Sequence, residues 1–301
     1  MSSLELYIMT ATKKLRKEPF IFSRQEDDDP VSVDSPPDEL VFRSTQLIYE
    51  DDTCVYRGVL TGRGSQEIKA ICKLGLKAYP GSDVLEAYQH ETEVYQTNLR
   101  DMQGHFIPKF YGMYVGTVFR YPAACIIVED CGRSLPSFGS LSYEWRARAI
   151  EVLMAIHARG LQHNDFRPCN VVVDDVKDPK RLVVIDFEHA TPHECKRAMD
   201  IAYFQLPPFP KDFGCRELYS VAKTTCVWTP GDVEIFGTSV GVGACASPDE
   251  LLAAAPHFEP CYTYEEALKC ANNVIHRYFA RWGDRREYVL GKTYKALIPA
   301  M

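Results

Sequence analysis

The sequence predicts an α+β fold in two lobes, a strand-rich amino half and a mainly helical carboxyl half. Three observations carry this. Short runs of alternating apolar and polar residues fill most of 41–129. One segment of helical spacing, with Leu85, Tyr88, Tyr95 and Leu99 in phase, interrupts them after the third run. From Ser142 onward the apolar period lengthens to that of helices, with one polar loop and one short hairpin between them.

The elements follow in order. Val41 to Ile48, Val55 to Leu60 and Glu67 to Leu74 read as three strands, the last two joined by a turn at Gly62 and Gly64. Ser82 is placed as the cap of the helix that follows, and Gly104 and Pro108 end it. Residues 109–119 and 123–129 complete a sheet of five antiparallel strands. Ser142 caps a second helix that runs to Gly160, with Trp145, Ala149, Val152, Leu153 and Ile156 on one face. The polar loop LQHNDFRPCN follows. VVVD at 171–174 and LVVI at 182–185 then form a hairpin across the turn DVKDPKR, where Asp174, Asp175 and Asp178 read as turn residues. Beyond 230 the pattern is mainly helical. Ser247-Pro248-Asp249-Glu250 is a capping box, and 264–282 is an amphipathic helix.

Composition narrows the class. The chain has 301 residues with 46% hydrophobic content, enough for a full core. Its net charge is −7 and no Lys/Arg-rich run stands out, which argues against a nucleic-acid partner. No apolar run approaches the ~20 residues needed to span a bilayer, so no membrane partner is expected. The start has no apolar block with a small-residue cleavage site, and no Asn-x-Ser/Thr sequon occurs. Eleven cysteines without a CxxC pair argue against a zinc site, and most of them fit small buried side chains in a reducing compartment. A cytoplasmic location is therefore expected. Seven of the sixteen residues at 24–39 are acidic and three are proline, so 1–39 reads as an acidic, proline-rich arm. Residues 40–130 and 131–301 then form the two lobes.

The hairpin at 171–185 brings chemistry together. An antiparallel hairpin returns the chain to its starting end. Asn170, just before it, and Asp186, just after it, therefore stand side by side. A carboxylate and an amide oxygen suit a hard divalent ion such as Mg²⁺. Asp165, five residues before Asn170, reaches the same end and is free to accept a proton from a hydroxyl.

This constellation resembles the protein-kinase-like superfamily. HNDFRPCN at 163–170 matches the HxDxxxxN catalytic loop, and IDFE at 185–188 matches the DFG metal-binding position, with Glu188 in place of glycine. The element order over roughly 41–282 agrees. The resemblance implies a bilobal protein-kinase-like fold, with ATP and Mg²⁺ as cofactors. It gives Asp165 the role of catalytic aspartate, with Arg167 as a cation beside the transferring phosphoryl group. Asn170 and Asp186 become metal ligands, Lys73 the phosphate lysine and Glu91 its ion-pair partner. Lys69 and Glu93 are the alternatives at those two positions. ATP would lie against 125–129 and the segment EDCGR, at Glu129 and Cys131. His163 is a packed histidine supporting the loop. DVEIFG at 232–237 resembles the DVWSFG segment that opens a central helix of the carboxyl lobe, which makes Asp232 a support for the catalytic loop.

The sequence also departs from the pattern. Where a glycine-rich turn is usual, YEDDTC at 49–54 places Glu50, Asp51 and Asp52, which repel phosphate. No APE motif closes an activation segment. HND with IDFE resembles choline and ethanolamine kinases and, more loosely, aminoglycoside phosphotransferases, whereas DVEIFG resembles true protein kinases. The whole is most similar to divergent protein-kinase-like proteins of fungi. The expectation is phosphoryl transfer from ATP to a hydroxyl of a protein or a small molecule. A pseudokinase acting as a scaffold or binding module is the rival, and a kinase fold turned to other biosynthetic chemistry is the third reading.

Overall fold

A computed structural model describes residues 3–9, 14–25, 39–62, 66–77, 84–177, 179–255 and 262–282. The chain divides into two compact units, Met1–Cys195 and Lys196–Met301, so residue 130 falls inside the first. The fold is mixed α+β.

The first unit opens with β1 (Ser3–Tyr7), β2 (Phe20–Arg24), β3 (Glu39–Glu50), β4 (Thr53–Gly62) and β5 (Ile68–Leu76). Helix α1 (Val84–Gln96) separates these from β6 (Phe110–Val118) and β7 (Tyr121–Glu129). The seven strands close into a barrel in the order β1-β2-β6-β7-β5-β4-β3. All neighbours are antiparallel except β1 and β3, which run parallel with Leu4 opposite Leu40 and Leu6 opposite Phe42. Closure follows from period-two patterning: Leu4, Leu6, Phe22, Phe42, Leu60, Cys72, Tyr114 and Cys125 all point into the interior. Each large apolar side chain buried there contributes about 2 kcal/mol. Gly58 is required on β4, because a Cβ would collide with the carbonyl of Arg43 on the neighbouring strand.

The expected five-stranded sheet is therefore corrected to seven strands. The two additional strands come from the segment read as an arm. Alternation at Leu4/Leu6 and Phe20/Phe22 drives them inward, but each run is only five residues long and precedes a strongly acidic stretch. Residues 26–38 of that stretch, the turn at Gly64, the cap at Ser82 and the turn residue Asp178 lie outside the described residues.

Helix α1 lies on the outer face of the barrel, where Tyr88 packs with Met113, Ala124 and Ile126. Of the residues expected in phase, Tyr88 and Tyr95 on the helix and Leu99 beyond its end are buried, whereas Leu85 is exposed. Beyond the barrel come β8 (Arg133–Ser134), α2 (Tyr143–His157), β9 (Leu161–Gln162), β10 (Val171–Val173), β11 (Leu182–Val184) and β12 (Thr191–Pro192). Ser142 caps α2 as expected, its side chain accepting from the Trp145 amide. Strands β10 and β11 form the expected hairpin, with Val171 opposite Val184, and β8 pairs on the other edge of β10.

The second unit contains α3 (Pro210–Phe213), α4 (Arg216–Thr224), β13 (Asp232–Ile235), β14 (Thr238–Gly241), α5 (Pro248–Ala254) and α6 (Tyr264–Trp282). Ser247 caps α5 by accepting from the Glu250 amide, and α5 and α6 pack with β13 and β14 around Leu251, Leu252, Ala267 and Ile275. Here one expectation is corrected. DVEIFG forms a strand and a turn, not the opening of a helix. Val233 and Ile235 alternate inward against outward Glu234, and Phe236 and Gly237, both at positive φ, turn the chain into β14. No helix among the described residues is long and apolar enough to cross a membrane.

Candidate active site

The catalytic-loop candidates are positioned by the β10–β11 hairpin. The Ile185 amide donates to the Asn170 carbonyl at 3.0 Å, which closes the base of the hairpin and sets Asn170 beside Asp186. Asn170 is buried, and its Nδ2 donates to both the backbone oxygen and Oδ2 of Asp165, each at 2.9 Å. Arg167 forks onto the same carboxylate, with Nε 2.5 Å from Oδ1 and Nη2 2.6 Å from Oδ2. The hydrogen bond to the Asp165 carboxylate, with its charge, raises the Arg167 pKa from its ordinary value.

His163 is fully buried beneath this loop. Its Nδ1 accepts from the Asp165 amide at 3.3 Å, so its Nε2 carries the proton and donates to the Ile185 carbonyl at 3.1 Å. One neutral ring thus ties the loop before Asp165 to the strand before Asp186. The flanking backbone is strained: Asn164 and Asp186 adopt φ of 65° and 71°. The Asn164 amide nitrogen holds its turn by donating to the His189 carbonyl and to Thr191 Oγ1, both at 2.8 Å. Pairing of β9 with β12 braces the same region.

Lys73 is the centre of charge. Its neighbours Cys72 and Leu74 point into the barrel, so Lys73 points outward toward α1. Its ammonium lies 3.1 Å from Glu91 Oε2, 2.7 Å from Asp186 Oδ1 and 3.0 Å from Glu188 Oε2. Three donors meet three carboxylates, and the Tyr88 ring lies beneath at 5.5 Å. Burial by itself would lower the Lys73 pKa; the carboxylates of Glu91 and Asp186, with Tyr88 and Glu188, outweigh it and hold the ammonium well above its usual value. Burial raises the Glu91 carboxyl, and although Lys73 opposes this, the crowding of Asp186 and Glu188 adds to it. Glu91 also accepts from the Phe187 amide at 3.3 Å, so α1 holds both the lysine and the segment after Asp186. Lys69 and Glu93 are exposed and take no part.

Glu91, Asp186 and Glu188 offer carboxylate oxygens within 4.8 Å of one another. With a single ammonium among them, this all-oxygen donor set suits a hard divalent cation such as Mg²⁺. Sequence reasoning noted Glu188 as a departure from glycine but did not foresee its ion pair with Lys73. The signal was the substitution itself, since a carboxylate two residues after Asp186 falls within reach of whatever Asp186 contacts.

The 129–133 segment is held from both sides. Glu129 accepts from Arg181 at 2.6 Å and 3.1 Å and from the Lys109 amide. Burial would raise its carboxyl, but Arg181 and Lys109 outweigh that and hold it below the usual range. Asp130 pairs with Arg57 at 2.8 Å. Burial pushes the Cys131 thiol up to about 12, with the Glu129 charge adding to it. Gly132 takes φ of 121° and lies so close to the Val173 carbonyl that no side chain fits. The acidic turn at Glu50, Asp51 and Asp52 is exposed. Asp232 stands on β13 in the other unit, half-exposed, with Lys223 at 3.8 Å.

No family model matches the chain, and no curated protein matches it. Among solved structures it is similar to one titled "Structure of vaccinia related kinase 3". The TM-score is 0.41 at 15% identity, over 81% of this chain and 89% of that one.

Proposed function

We propose that the chain is an atypical ATP- and Mg²⁺-dependent phosphotransferase that transfers the γ-phosphoryl group to a hydroxyl of a protein or a small molecule. The observation that carries this reading is the ion pairing of Lys73 with both Glu91 on α1 and Asp186 at the hairpin end. Asp165 and Asn170 stand on the adjoining loop, bonded to each other. A structural salt bridge needs one carboxylate; this cluster gathers three around one lysine.

The roles follow from the chemistry of each group. Asn170 and Asp186 would hold Mg²⁺, with Glu188 as an adjacent carboxylate. The bound ion would supply positive charge to the phosphate oxygens. Lys73 would turn one of its three donors from a carboxylate to a phosphate oxygen. Glu188 is more readily released than Glu91, being more exposed. Asp165 would orient the acceptor hydroxyl and take its proton, and Arg167 would add a cation at the transferring group. The backbone of Glu129 to Cys131 would border the base.

Thermal stability with ATP, with and without Mg²⁺, tests the reading. Saturation to about 100 times Kd adds about 2.7 kcal/mol of stability. The expected outcome is a Mg²⁺-dependent rise in Tm that Asp186→Ala abolishes, with phosphoryl transfer lost in Asp165→Ala. A second reading, a catalytically silent binding module, is favoured by the acidic turn at Glu50–Asp52 and by the complete engagement of Lys73 with carboxylates. No rise in Tm with either nucleotide form would select it.

A further inference from the structure

A second cluster of side chains shares no residue with the Lys73 centre and differs from it in donor chemistry. His157, His193 and Cys195 each offer one ligand atom, and these atoms lie within 4.8 Å of one another. The two imidazole rings meet edge-on, with centroids 4.8 Å apart and an interplanar angle of 74°. His157 is buried, and His193 and Cys195 are half-buried.

Local structure brings the three together. His157 is the last residue of α2, and the Gly160 amide turns back to donate to its carbonyl at 3.0 Å. The chain then enters β9, where Leu161 stands opposite Pro192 and Gln162 opposite Thr191. One more bond extends this pairing: the His193 amide donates to the Gly160 carbonyl at 2.8 Å. His193 is thereby held against the turn that follows His157. Beyond it Glu194 is exposed and Cys195 turns inward again. His193 and Cys195 thus share one side of a segment whose burial alternates as extended chain does.

We propose that His157, His193 and Cys195 bind a Zn²⁺ ion with a structural role. Two imidazole nitrogens and a thiolate suit a borderline-soft transition ion, whereas the carboxylates around Lys73 suit Mg²⁺. Ligand atoms stand about 2.0–2.3 Å from tetrahedral zinc, and so about 3.3–3.8 Å from one another. Small side-chain rotations bring a cluster that already lies within 4.8 Å to that spacing. Binding takes both imidazoles neutral and the thiol as thiolate: the S–H bond breaks, the Zn–S bond forms and the proton leaves to solvent. A water or a further side chain completes the four positions. The ion would fasten the end of α2 to the segment after β12. Thr191 on that strand accepts from Asn164, the neighbour of Asp165, so the metal would also steady the catalytic-loop candidates. The sequence-based expectation against zinc rested on the lack of a CxxC pair, which does not bear on ligands drawn from separate elements.

The test is metal analysis of the full chain, loaded with Zn²⁺ under reducing conditions and desalted in excess Mg²⁺. About one equivalent of zinc is expected to remain bound. Stripping with a chelator should lower Tm, and Zn²⁺ but not Mg²⁺ should restore it. Co²⁺ loaded in its place should show a thiolate charge-transfer band and the d–d bands of tetrahedral coordination. Cys195→Ser and His193→Ala should each weaken zinc binding by about 100-fold or more, since loss of a group that merely supports a ligand already costs about 10–100-fold. Cys270→Ser, on α6, should keep the metal. Circular dichroism verifies folding of the variants, and the chelation and cobalt measurements on the unaltered chain decide the matter where a substitution unfolds it. The proposal is overturned by no retained zinc, by an unchanged Tm on stripping, or by a cobalt spectrum without the thiolate band. Zinc binding untouched by both ligand variants, or lost in folded Cys270→Ser, also overturns it.

Discussion

Two short acidic motifs, IDFE at 185–188 and DVEIFG at 232–237, both resemble protein-kinase segments in the sequence, and the structure treats them differently. The first follows a hairpin whose register fixes where Asp186 emerges, and that aspartate meets Lys73 at 2.7 Å. The second becomes strand β13, and Asp232 faces outward beside a lysine at 3.8 Å. A motif anchored by pairing at both ends is held to one geometry. A six-residue match with no second anchor takes the conformation its own alternation prefers, here Val233 and Ile235 inward on a strand.

The contrast is sharpened most by Lys73→Met. Removing the ammonium leaves the buried Glu91 carboxylate uncompensated beside two others, and unfolding by denaturant should show a loss of about 3 kcal/mol or more. A loss below about 1 kcal/mol would mean that the cluster reorganises freely and that the first motif is no better anchored than the second.

Glu129→Gln probes the support of the adjoining segment. The Arg181 fork should be worth about 1 kcal/mol at neutral pH. The carboxyl of Glu129 is held low in the folded state. Its contribution is therefore present above the unfolded value of about 4.3 and is lost as pH falls through the folded value. The stability gap between wild type and variant should close at acid pH; a gap that persists there would assign the effect to packing rather than charge.

The smallest effect belongs to Asp232→Ala. A half-exposed carboxylate in a long ion pair should change stability by less than about 0.5 kcal/mol. A large loss, or loss of nucleotide response, would restore to Asp232 the supporting role that its motif implied.

Much of the site was legible for a physical reason. Lys73 and Glu91 lie on elements whose periodicity is clear, and the hairpin 171–184 reports its own register through paired valines. Asp165 and Asn170 share one loop, so their spacing limits their separation. Glu188 was visible only as an exception, because no local rule states what a glutamate in a loop will pair with across the chain. The barrel was harder. Strands β1 and β2 are five residues each, and their alternation carries weight only when a partner strand is in view: Ser3–Tyr7 reads as a strand because β3 runs beside it. The hairpin β13–β14 follows its own period of two rather than the helix that the resemblance to DVWSFG implied.

Closure of the barrel has a consequence for how the chain reaches its fold and resists misassembly. The last seam joins Phe22 to Gly116 and Leu4 to Leu40, positions remote in sequence. Such pairing incurs loop-closure entropy before it is rewarded, so the amino-terminal strands should be late to dock and the partly closed sheet slow to mature. Until then β3 and β6 each present an open row of amide and carbonyl groups to any other extended chain. Once β1 and β2 are seated, the barrel has no edge on which a second molecule can grow.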